Sequence, residues 1–169
     1  NHPDITYIKN HDIEPFAYQP FQFSQFRELQ PNKGLLEETF ILKIPHGEVC
    51  SWHAWIKVDN FIIKDFIINH DSLGHQLLLL KQTPFPTMKK IKGRVAVINM
   101  IFDYCFGHWL VNVLGRLAIL ELQNIEYDWL YVSCDKPYMK ETLQLWGINP
   151  EKIIHPFGEN QWKIGRAHV

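Results

Sequence analysis

Along the first third of the chain aromatic residues and prolines recur without a helical period. Phe16, Tyr18, Phe21, Phe23 and Phe26 fall among Pro15, Pro20 and Pro31, and prolines at that density forbid a long helix. This segment is expected to be extended and irregular. From Glu37 the pattern changes to short strands: ETFILKI (38–44) ends at Pro45 and Gly47, EVCSW follows, and HAWIKV and FIIKDFII flank Asp59 and Asn60. Two such runs across a two-residue loop predict a β-hairpin. Residues 71–92, with Gly74, Pro84 and Pro86, read as a connection containing a short apolar piece at 77–80.

After Gly93 the rhythm becomes one of alternating strand and helix. Val95 to Ile101 is a nearly continuous apolar run rich in β-branched residues, as expected of a strand covered on both faces. CFGHWLVNVLGRLAILEL (105–122) predicts a largely buried helix, Asp128 to Ser133 a second strand, Tyr138 to Trp146 a second helix stopped by Gly147 and Pro150, and Lys152 to His155 a third strand. The order βαβαβ predicts an α/β fold, half of a Rossmann-like doubly wound sheet. Residues 1–92 then form a β-rich amino-terminal segment with its hairpin, and residues 93–163 the half-domain.

The helix poses a chemical question. His108, Asn112 and Arg116 interrupt its apolar run at intervals of four, a stripe extending roughly 12 Å at about 1.5 Å per residue. Buried without partners, such groups cost several kcal/mol, so the stripe must meet water, other polar groups or a ligand. Ligands of open α/β sheets gather beyond the carboxyl ends of the strands, where the loop 102–107 and the start of this helix lie. An imidazole at that place suits a general base, since histidine ordinarily titrates near neutrality; the structural alternative is a tie between the loop and its neighbour. Arg116 reads as a clamp for phosphate or carboxylate, or as half of an ion pair, for instance with Glu121. Gly115 beside it thins the surface and admits a close neighbour. Trp109 reads as a core anchor before a sugar-stacking platform.

Composition narrows the function classes. The chain has 169 residues, 46% hydrophobic and 14% aromatic, ample for a folded core. Seventeen Lys plus Arg against 18 Asp plus Glu give no sign of a nucleic-acid partner or an anionic membrane surface, and the basic run Lys89, Lys90, Lys92 and Arg94 reads as a solvated approach to a strand. No stretch reaches the roughly 20 apolar residues of a membrane span. Three cysteines, Cys50, Cys105 and Cys134, make an odd, widely spaced set, which suits a reducing, cytoplasmic setting. Two Cys-x-x-His pairs, Cys50 with His53 and Cys105 with His108, raise a zinc site, but the first falls on a strand whose alternation sends the two side chains to opposite faces. No metal site or other cofactor is evident. G-x-G-x-x-G, P-loop, G-x-S-x-G and Asp-x-Asp motifs are all missing from the chain. The amino end lacks an initiating Met and a signal-peptide core, so both termini read as cut. Residues 164–169, IGRAHV, are what a widely used sequencing adapter encodes in one frame, and are expected to be foreign to the gene.

A strand such as GRVAVINMI, an aromatic-x-His-Trp-Leu, a Leu-x-Arg-Leu six to nine residues beyond the His, and a second strand and helix ending LWGI together resemble the start of the conserved domain of family 61 glycosyltransferases. Those enzymes include bacterial capsular-polysaccharide proteins, plant xylosyl- and arabinosyltransferases and animal N-acetylglucosaminyltransferases. The strand-turn-strand segment GEVCSWHAWIKVDNFIIKDFIIN is similar to the region preceding that domain, and the resemblance covers residues 37–157. It implies inverting transfer of a sugar from a nucleotide-sugar donor to a glycan hydroxyl, on two facing Rossmann-like domains of the GT-B type, the first holding the acceptor. His108 matches the family's motif His and Arg116 its Arg. Relatives often carry Asn where this chain has Cys105, an acidic residue where it has Asn112 and Pro where it has Gly115, which leaves Asp103 as the loop carboxylate available to His108. The resemblance therefore implies His108 as catalytic base, with Asp103, Asn112 and Arg116 lining the acceptor cleft. The donor-binding half lies outside the chain, so residues 1–163 are expected to transfer no sugar alone. The rival reading is a non-catalytic α/β module that binds a partner through its aromatic amino-terminal segment. Nothing in the pattern specifies an oligomeric state.

Overall fold

In the computed structural model, residues 4–11, 14–17, 33–36, 39–50, 54–59, 61–63, 89–100, 102–156 and 163–168 are described. Eleven strands result: β1 (Thr6–His11), β2 (Glu14–Ala17), β3 (Lys33–Leu36), β4 (Thr39–Ile44), β5 (Glu48–Cys50), β6 (Trp55–Val58), β7 (Phe61–Ile62), β8 (Lys89–Val97), β9 (Trp129–Tyr131), β10 (Ile153–Ile154) and β11 (Lys163–His168). Among the described residues the helices are α1 (Phe106–His108), a π-helical turn at Trp109–Val113, α2 (Leu114–Leu122), α3 (Pro137–Leu145) and a 3-10 turn at Pro150–Lys152.

The carboxyl-terminal part of β8 is the hub. Val95, Ala96 and Val97 pair in parallel with Trp129, Leu130 and Tyr131 of β9, and β9 pairs in parallel with β10. Side chains alternate along this three-stranded parallel sheet as a strand's period of two requires. Ala96, Ile98, Leu130 and Val132 join Trp109, Val113, Leu117, Met139 and Leu143 in one cluster. Val95, Val97, Tyr131 and Ile154 join Ile44, Val49, Ile56 and Val58 in another. Both faces are covered, and the near-continuous apolar run beginning at Val95 follows from that. The protein is thus of the mixed α/β class.

The structure departs from the sequence expectation at β1, at β11 and at the start of β8. β1, expected to be irregular, pairs antiparallel with β4, Ile8 opposite Ile41. β4 and β5 do not form a hairpin with each other: both lie antiparallel along β11, Lys43 opposite His168 and Val49 opposite Lys163, so that Pro45–Gly47 is an interruption within one edge. His46 has φ 60° there, a bulge-like conformation that permits the strand to continue. β11 contains residues 164–168 of the terminal hexapeptide and also pairs in parallel with β8. The hairpin over Asp59 is present, Val58 opposite Phe61, with Asp59 at φ 51°; His53 and residues 64–88, including the apolar piece 77–80, lie outside the described residues. β8 begins at Lys89 and runs through the point where the sequence rhythm changes. Its direction shifts at Gly93, whose φ is 114° and whose missing Cβ leaves room for Asp128 Oδ2, 2.8 Å from where that carbon would lie.

Helix ends follow local rules. Gly147, at φ 83°, closes α3 with Gly147 N–H to Gln144 O and Ile148 N–H to Leu143 O, a Schellman motif. Asn124 does the same for α2 at φ 50°, with Asn124 N–H to Glu121 O and Ile125 N–H to Leu120 O.

Candidate functional site

The chain leaves β8 at Val97, and its next residues build the site. The N–H groups of Ile98 and Asn99 still donate to Tyr131 O, so the strand end stays fastened to β9. Asn99, 1% exposed, turns its side chain toward the end of β9, where Oδ1 accepts from both the N–H and the hydroxyl of Ser133, each at 2.8 Å. The loop then turns at Phe102, a non-glycine residue at φ 70°, a conformation that costs of order 1 kcal/mol or more and clusters at functional sites. Asp103 follows, 2% exposed. Ser133 and the Tyr104 backbone lie near its carboxyl and favour the ionised form, while Oδ2 has no hydrogen-bond partner. Burial pushes this carboxyl above the usual carboxylate range, and the negative charge of Asp135 adds to the effect.

The helical run 106–122 starts immediately beyond. Cys105 O accepts the Trp109 N–H, and Trp109, wholly buried, anchors the run to α3 through Nε1 to Thr142 Oγ1 at 2.8 Å. Trp109 is therefore a core anchor. Over the next five residues the helix widens to π geometry, the Leu114 N–H reaching back to Trp109 O. A π turn adds a residue per turn, so side chains four and eight apart come closer to one line than an α-helix allows. On that line His108 is exposed and Asn112 half-buried, with Asn112 Nδ2 2.9 Å from His108 Nδ1. Arg116 is directed at the strand end instead: Nη1 donates to Asn99 O at 2.8 Å and Ile98 O at 3.4 Å. Burial lowers the guanidinium's proton affinity. No ion pair with Glu121 forms, because that carboxylate accepts from Trp146 Nε1 at 2.7 Å.

The four residues singled out from the sequence thus fall into two groups. His108 and Asn112 form a surface pair, whereas Asp103 and Arg116 belong to the buried support beneath it, joined through Asn99, whose backbone oxygen takes Arg116 and whose side-chain oxygen takes Ser133. Asp103 is packed against Ser133 and not against His108. The imidazole has Phe102 as its aromatic neighbour, ring centroids 6.0 Å apart. Tyr104 and Phe106, 53% and 54% exposed, flank the start of the helix; Tyr104 O accepts from Tyr138 Oη at 2.7 Å, and Phe106 meets the Tyr138 ring edge-on at 5.2 Å.

Asn99 and Ser133 are the residues that sequence reasoning missed. A signal existed, since each is a polar residue at the carboxyl end of an apolar strand, but their pairing across 34 positions is a tertiary fact. Among the described residues, two cavities lie apart from this place, one of about 470 Å³ lined by Leu114, Thr142 and Trp146, the other of about 240 Å³ between Cys134, Leu143, Ile148 and His155. Among the described residues no group of three or more His, Cys, Asp or Glu converges as a metal would require, and no helix is long and apolar enough to cross a membrane. Compared with known protein families, with curated proteins and with solved structures, the chain matches none.

Proposed function

We propose that this chain is the acceptor-side part of an inverting glycosyltransferase similar to family 61, a Rossmann-like half of a GT-B enzyme that takes a nucleotide sugar as cosubstrate and a glycan hydroxyl as acceptor. The observation that carries the reading is the exposed His108 imidazole, held by Asn112 at 2.9 Å at the start of the helix that follows the central parallel strand. In the reaction, the acceptor oxygen attacks the anomeric carbon, its proton passes to His108 Nε2, and the bond to the nucleoside diphosphate breaks with its electron pair leaving on the diphosphate. A base in that role must have a free lone pair on Nε2. In the observed arrangement the Asn112 amide nitrogen faces Nδ1, so the base role requires the carboxamide to turn over and present its oxygen to a protonated Nδ1. Tyr104 and Phe106 offer apolar faces for a sugar ring. Arg116 supports the strand end, and Asp103 the loop. The free thiols of Cys105 and Cys134 suit the cytoplasmic setting this reading includes.

Acceptor binding is testable on this chain. Addition of capsular and xylan oligosaccharides to the ¹⁵N-labelled protein is expected to shift the amide signals of residues 104–116, and UDP-, GDP- and CMP-sugars to leave them in place. Saturable shifts with the nucleotide sugars and none with any glycan would overturn the acceptor-side assignment. Of the aromatic amino-terminal segment on which the partner-binding reading rests, residues 18–32 lie outside the described residues.

A further inference from the structure

Tyr138 stands at the start of α3, directly after Pro137, and its side chain reaches the loop that follows β8. Its hydroxyl lies 2.7 Å from Tyr104 O; a carbonyl oxygen only accepts, so the phenol is the donor. Its ring meets Phe106 edge-on at 5.2 Å and Trp109 at 6.2 Å with 73° between the planes. One half-buried side chain thus holds the backbone of one exposed aromatic residue and the ring of the other. Tyr138 is itself fixed within α3: Thr142 Oγ1 accepts from Trp109 Nε1 at 2.8 Å and donates to Tyr138 O at 2.7 Å. The loop needs such a hold. It turns at Phe102 with φ 70°, a conformation that persists for a bulky residue only where surrounding contacts over-determine it. The bonds from Asp103 N–H to Met100 O at 3.3 Å and from Cys105 N–H to Phe102 O at 2.9 Å are local, and they fix the turn but not its placement against α3.

We propose that Tyr138 is the positioning residue of the 102–106 loop: its hydroxyl bond to Tyr104 O and its edge contact with Phe106 hold the two exposed rings in one arrangement, so that a glycan meets a preorganised aromatic surface. Tyr138 donates nothing to the glycan in this role, because its one hydroxyl proton is committed to Tyr104 O. Rings ordered beforehand spare the binding step the cost of immobilising them. His108 is placed by a separate anchor, the Trp109–Thr142 bond of the same helical run, so the tie acts on acceptor affinity and not on proton transfer. What the rings bind rests on the acceptor-side reading above; the tie itself does not.

Two substitutions separate the hydroxyl from the ring: Tyr138→Phe removes the donor alone, Tyr138→Leu the donor and the aromatic edge. Order parameters of the ¹⁵N-labelled chain at residues 103–106 read the tie without a ligand. In Tyr138→Phe they are expected to fall from the rigid value of about 0.85 toward the flexible range below about 0.6, and further in Tyr138→Leu, while Val132 and Ser133 at the end of β9 keep the parent's values. Unchanged order parameters in Tyr138→Phe would overturn the proposal. The acceptor consequence is read with capsular and xylan oligosaccharides well below the unfolding midpoint, where a merely less stable chain binds as the parent does. Tyr138→Phe is expected to raise the glycan dissociation constant about 2- to 10-fold, and in the complete reading frame to raise acceptor KM by the same factor at unchanged kcat. Affinity equal to the parent's, or a lower kcat at an unchanged KM, would overturn the positioning role. A parent chain that binds none of these glycans, with a loop that still loosens in Tyr138→Phe, would contradict the acceptor reading and support the tie.

Discussion

At the scale of single residues, Asn99 and Arg116 show how a polar stripe on a greasy helix is accommodated. The stripe was legible because an apolar run interrupted every four residues can only be a helix with one polar side. What each polar group faces was not, since that depends on strands lying 17 or more positions away. Arg116 donates to carbonyls where β8 stops pairing, so the Arg116→Ala protein loses the charge-assisted bonds to Asn99 O and Ile98 O. A loss of about 1–3 kcal/mol is expected, read as a lower denaturant midpoint with an unchanged slope. Arg116→Lys is expected to recover part of it, because an ammonium donates but lacks the guanidinium's planar fork. No change in either variant would mean that the guanidinium is not a structural donor.

Individual elements repeat the lesson. Val95–Val97, the stop at Gly147 and the turn at Asp59 follow from patterning and turn chemistry that act over a few residues, and they stand where the pattern put them. The π turn at Trp109–Val113 has no such local signature. It answers two demands at once, burial of Trp109 and Val113 and alignment of His108 with Asn112, which become visible only when α3 and the sheet are in place. Pairing of β1 with β4 is likewise non-local, as is the alignment of β4 and β5 along β11. Gly115 gives the element-scale prediction. A Cβ added there meets nothing within 4 Å, and alanine outranks glycine in a helix by roughly 0.5–1 kcal/mol. Gly115→Ala is therefore expected to raise the midpoint by that amount. If acceptor glycans approach over this face, their affinity falls in the same variant while stability rises; a destabilised variant would show that the face is packed.

For the whole molecule, the parallel strands β8, β9 and β10 supply a floor with both faces covered, and on the other side of β8 the parallel strand β11 links it to the antiparallel strands. An α/β sheet with alternating strand and helix could be read from hydrophobic rhythm alone. The buried bonds of Ser133 to Asn99 could not, because they arise only where the chain leaves β8 and β9 side by side. The Ser133–Asn99 bonds and Arg116 hold the strand ends, and His108 with Asn112 lies outside them, the imidazole exposed. The central claim is that His108 serves as the base of sugar transfer. Its most direct test is the initial rate of radiolabelled sugar transfer by the complete reading frame that carries this chain, parent against His108→Ala, with the unfolding midpoint of each. The account predicts a rate reduced about 10²- to 10⁴-fold at an unchanged midpoint, as befits an exposed side chain; an undiminished rate, or a loss that only tracks a lowered midpoint, would contradict it.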